Sequence, residues 1–130
     1  MKSVVLCYNL KETKKGRQVA MIFGFLGYKI RHVEKEEYLW PIGKLAGMEK
    51  VERETEVYDG EGFEEEMLVI QAASEDMLDK ALFLMRKEKL QVPLKAVVTA
   101  SNQEWTSIAL HDEILKEHQF MTKQNGTERK

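Results

Sequence analysis

The feature that most limits what this chain can become is a pattern stated twice. The apolar run Val4-Val5-Leu6-Cys7-Tyr8 is followed by a segment of helical periodicity and then by a second extended run, Lys29–Val33. The same order returns with Met67–Gln71, a helical segment and Lys95–Thr99. Glu37-Tyr38 and Glu104-Trp105 stand at matching places, each leading a further helix, and the offset between halves stays within 63–67 residues. Short apolar, β-branched runs without alternation suit strands covered on both faces. Strands alternating with helices suit an α/β layer structure. The expected fold is therefore an open four-stranded, mostly parallel sheet with helices, built as a β-α-β-α pseudo-duplication. The alternative is a ferredoxin-like α+β arrangement with extra helices, and the pattern alone leaves strand direction open.

Punctuation residues refine this outline. In the first helix Gly16, Val19, Ala20, Phe23 and Leu26 recur at helical spacing, and Gly27 sits where a helix would stop. Met21, Ile22 and Phe25 extend its apolar surface beyond one stripe, which predicts a second cover or a partner chain. Lys29–Val33 alternates and reads as an edge strand. Pro41 and Gly47 bracket a short helix. Ser74 with Glu75 and Asp76 opens another, whose apolar face is Met77, Leu78, Ala81, Leu82 and Met85. Pro93 precedes a strand, and Ser101 with Glu104 has the spacing of a capping box for a last helix reaching about His118.

These elements make one domain over residues 1–118, with halves 1–48 and 67–118, and a flexible tail over 119–130. The connection 49–66 holds nine acids against two bases, a local charge of −7, and reads as solvated. Val51, Thr55 and Val57 fit a short strand inside it.

Charge and cysteine content exclude several classes. The net charge is −2 with a pI near 6.0, unlike the basic balance of a dedicated nucleic-acid binder. A single cysteine, Cys7, permits no internal disulfide. With no export signal read in the N-terminal run, the expected compartment is the cytoplasm. No apolar stretch approaches the roughly 20 residues that cross a bilayer. No G-x-G-x-x-G, Walker or G-x-S-x-G pattern occurs, so no cofactor is expected.

The candidate binding site is the exit of the fourth strand. If that strand is parallel to its neighbour, Thr99, Ser101 and Asn102 lie at its carboxyl end, the edge at which open α/β sheets bind ligands. Lys95 could supply positive charge to a small anionic ligand, and Trp105 could wall the pocket. The competing reading gives these residues a purely structural role, with Ser101 as cap and Trp105 in the core. His111 and His118 lie about 10.5 Å apart along a helix axis, too far for one metal ion, so no metal site is expected and His111 reads as a core-border histidine. Cys7 reads as a buried thiol that His32 could approach only in a favourable register.

The segment K-A-V-x-T-x-x-N-x-x-W, here Lys95, Ala96, Val97, Thr99, Asn102 and Trp105, resembles the signature of a small bacterial family known only as a domain of unknown function. The likeness is strongest from about Met67 to His118. Segments VVLCYNL and VEKEEYLWPIGKLAG are similar to the N-terminal part of its longer members. The resemblance implies a soluble, cytoplasmic bacterial domain and no assigned activity. The function expected on all these grounds is a non-catalytic interaction or regulatory domain that forms a homo-oligomer. The alternative is a small-molecule or anion-binding protein, with or without enzymatic activity, whose site is at residues 95–105.

Overall fold

A computed structural model describes residues 2–48 and 56–128, with side chains as far as Met121. The strands are β1 (Val4–Tyr8), β2 (Lys29–His32), β3 (Met67–Gln71) and β4 (Leu94–Val97). The helices are α1 (Lys14–Phe25), α2 (Ile42–Leu45), α3 (Glu75–Lys87) and α4 (Ser107–Glu128), with a 3-10 turn at Lys35–Glu37. The four strands form one sheet in the order β2-β1-β3-β4. β1 runs parallel to β2 and β3 parallel to β4, while the two pairs meet through antiparallel β1 and β3. Each strand–helix–strand unit thus pairs its own two strands directly, which rules out the split, ferredoxin-like arrangement.

Burial follows position in that order. β1 and β3 are central and buried along their whole length, as their unbroken apolar runs require. β2 is a half-buried edge, in agreement with its alternation. β4 is the other edge: Leu94 is buried while Lys95 and Val97 are exposed. On one face of the sheet Val5, Cys7, Leu68 and Ile70 meet α1 and α3 through Val19, Phe23, Ala81 and Met85. On the other, Leu6, Tyr8, Met67 and Val69 meet α2, α4 and residues around Tyr38 and Phe63.

Caps and glycine stops delimit the helices. Thr13 caps α1 by accepting the Gly16 N–H, and Ser74 caps α3 by accepting the Met77 N–H. Gly27 and Gly47 both adopt positive φ after their helices. Five expectations need correction. Ile22 is 8% exposed and belongs to the core, leaving Met21 and Phe25 as the outward pair. The last helix starts at Ser107, where the Thr106 hydroxyl accepts the Ala109 N–H, and runs past His118 to Glu128. Trp105 is 41% exposed rather than packed in the core. The acidic connection also does more than face solvent, since Tyr58 and Phe63 pack onto the second core. Val57 lies outside any strand, and Val51 and Thr55 fall outside the described residues.

Candidate functional site

The exit of β4 is a self-bonded turn. Asn102 Oδ1 accepts the Thr99 N–H at 2.8 Å, its Nδ2 donates to the Val97 carbonyl at 3.0 Å, and its own N–H reaches Thr99 Oγ1 at 3.2 Å. Short polar side chains that bond nearby backbone stabilise turns at the expense of helix. That competition explains why residues 101–104 do not become the first turn of α4. Trp105 and Gln103 give their carbonyl oxygens to the N–H groups of Ile42 and Gly43, at 2.9 and 2.8 Å. The turn therefore also closes the amino end of α2. Ser101 is exposed.

Because β4 is parallel to β3, Thr99 stands at a carboxyl end as expected. It lines a hollow of about 360 Å³ with Gln71, Ser74, Leu78 and Gln103. Gln71 is 5% exposed; its Nε2 donates to the Lys2 carbonyl at 2.8 Å, while its Oε1 is buried with no partner among the described residues. Lys95 does not join this hollow. Its side chain points toward the amino end of β4, where Nζ donates to the Val92 carbonyl at 3.3 Å. The five candidate residues are thus divided between two places, and only Thr99 touches the expected one.

Lys95 instead belongs to a groove of about 890 Å³ at that amino end. Its wall also carries Lys15 from α1, Arg86 and Lys89 from the end of α3, and His118 from α4. Leu82, Leu90, Val92 and Pro93 supply an aliphatic floor. Lys15 is engaged by Glu66 at 2.7 Å. Sequence reading misses this group because its members come from four elements. The one local signal is Lys89, which occupies at the end of α3 the place glycine takes at the end of α1.

Two further clusters have titratable groups. Register sets Cys7 directly opposite His32 on parallel strands, and both line a recess of about 250 Å³ with Asn9 and Glu34. Burial pushes the Cys7 thiol up to about 12, so it stays protonated and a poor nucleophile. On the opposite side of the sheet, His111 is 4% exposed. Its Nε2 lies 2.8 Å from Glu65 Oε1 and its Nδ1 lies 3.0 Å from Asp112 Oδ1. One carboxylate thus faces each ring nitrogen. Next to it, Tyr8 and Ser107 share a buried 2.7 Å hydroxyl bond. His111 is a satisfied core-border histidine, and His118 stands apart from it on the groove. Among the described residues no group of three or more His, Cys, Asp and Glu side chains is placed to hold a metal ion. Among them, too, no helix is long and apolar enough to cross a membrane.

Comparison with known families gives one match. Residues 66–121 match a domain of unknown function, DUF3783. That span takes in β3, α3, β4 and α4 as far as Met121, the stretch in which the resemblance was expected to be strongest. No curated protein and no solved structure matches the chain.

Proposed function

We propose that this chain, whose second half matches a domain with no assigned activity, is a non-catalytic interaction module that associates with a second copy of itself. The observation that carries this reading is the outer face of α1. Met21 and Phe25 lie one turn apart and are 75% and 83% exposed. The inner face of the same helix already supplies Val19, Ile22 and Phe23 to the core, so the outward pair has no folding role. Phe83, 56% exposed on α3, adds apolar surface to the same helical layer. Covering a Phe or Met side chain is worth about 1.5–3 kcal/mol each, a gain that pairing of such faces would collect. In this reading the protein is cytoplasmic and bacterial, and regulates by binding rather than by chemistry.

The two halves support the reading of an old duplication. The α1 exit is closed by Tyr28 N–H to Phe23 O and Gly27 N–H to Gly24 O, and the α3 exit by Leu90 N–H to Met85 O and Lys89 N–H to Arg86 O. Light scattering on a concentration series tests self-association. A dimer that Phe25→Glu dissociates is the expected result, and a strict monomer at high concentration overturns it.

A small ligand at the β4 exit is the second reading, favoured by the buried, unpartnered Gln71 Oε1 beside the Thr99 hollow. Such a ligand would have to bring a hydrogen-bond donor. A thermal-shift screen against metabolites should find a stabilising compound whose effect Thr99→Val removes; no shift across the library ends this reading.

A further inference from the structure

The amino end of β4 has a charge pattern that folding does not account for. Arg86 sits in the last turn of α3, where a cation complements the helix dipole. That argument covers Lys89 in part, since it directly follows the Glu88 C-cap, but it does not reach Lys95 on the strand or His118 on α4. Lys89 is the telling residue. Its φ is +56°, a left-handed conformation that residues bearing a β-carbon rarely adopt. At the corresponding exit of α1 the chain uses Gly27, with φ +93°. Retaining lysine where glycine is the relaxed choice places its ammonium on the groove at a conformational cost, and such costs concentrate at functional sites.

Among the described residues, none of Arg86, Lys89 and Lys95 pairs with a carboxylate, whereas Lys15 on the same wall holds Glu66 at 2.7 Å. The wall therefore already binds one carboxylate side chain and has cations left for more. Its floor is aliphatic, with Leu82 and Pro93 reaching the surface, and among its lining residues only the His118 ring could stack on a nucleobase. At about 890 Å³ and open, it is larger than a lone inorganic anion needs. We infer that this groove binds an acidic peptide segment of a partner protein, with carboxylate side chains on the cations and interspersed aliphatic side chains on the floor. This inference is independent of self-association through α1.

The test uses the full chain and a fluorescent peptide of repeating Glu-Glu-Leu, with binding followed by anisotropy. Saturable binding is expected, weakening as salt rises. Removing single cations by Arg86→Gln or Lys95→Gln should weaken it roughly two- to fivefold each. Lys89→Gly separates binding from folding: it should bind more weakly while melting at the same temperature as the parent or higher, because glycine relaxes the backbone there. Equal binding of the peptide with Gln in place of Glu overturns the inference. So does parental affinity in all three variants, or tighter binding of a single-stranded oligonucleotide or of inorganic phosphate.

Discussion

His111 lies flat on Phe63, with ring centroids 3.8 Å apart and planes at 9°. The stack ties α4 to the end of the acidic connection, and Glu65, two residues on, closes the tie by bonding His111 Nε2. That hydrogen bond, with help from backbone, holds the Glu65 carboxyl below the usual glutamate range. A carboxyl depressed in the folded state stabilises the fold above its unfolded value, and the contribution disappears as pH falls through the folded value. Stability measured by urea unfolding should therefore favour the parent over Glu65→Gln at neutral pH, with the gap closing in acid. Curves that stay parallel down to strongly acidic pH would refute the coupling. His111→Ala removes the stack and both bonds, and should cost about 2–3 kcal/mol at neutral pH.

The two central strands, the Ser74 cap and the glycine stops were legible because each depends on neighbours within a few residues; the Thr13 cap of α1 went unread although its signal is equally local. Spacing on α1 located an oversized apolar surface, but which of Met21, Ile22 and Phe25 turns inward depends on how the helix rolls on the sheet. Ser101 and Glu104 had the right separation for a capping box, yet Asn102 wrapped Thr99 first and displaced the helix start to Ser107. The Cys7–His32 register and the cationic groove were out of reach for the same reason. Both join residues that only the strand order brings together.

Two glycines of α1 should respond in opposite directions to the same change. A β-carbon on Gly16 would overlap the carbonyl oxygen of Leu10, which is backbone and cannot swing away. Gly16→Ala should lose about 2–3 kcal/mol despite the better helix propensity of alanine. At Gly24 the nearest atom to a new β-carbon is the tip of Ile30, 3.7 Å away, an ordinary contact. Gly24→Ala should therefore gain up to about 1 kcal/mol. Chemical denaturation of both variants checks the pair, and a shared sign would contradict the packing described around Leu10.

Asn102 distinguishes a structural turn from a binding one. Its side chain already holds Thr99 and Val97, so alanine there should lower stability by about 1–2 kcal/mol with no ligand added. The α2 start should loosen with it, since Gln103 and Trp105 hold the first amides of that helix. Hydrogen exchange at Ile42 and Gly43 reads this directly. Faster exchange at both amides is the expected outcome; unchanged protection would mean that the turn does not depend on Asn102.

Cys7 and His32 invite a catalytic interpretation that the thiol's environment opposes. They face each other across β1 and β2, and His32 Nδ1 is buried without a partner among the described residues. An activated cysteine needs its thiolate stabilised near neutral pH by a cation or by aligned amides. Here burial dominates and pushes the thiol to about 12, so below that pH it carries its proton. Iodoacetamide at pH 8 should leave the native protein unmodified and label it fully in urea. The labelling rate should scale with the population of unfolded chain and carry the pH dependence of an ordinary exposed thiol. Rapid native alkylation, with a pH midpoint near neutrality, would instead mean that His32 holds a thiolate at Cys7 and would restore the pair as a nucleophilic centre.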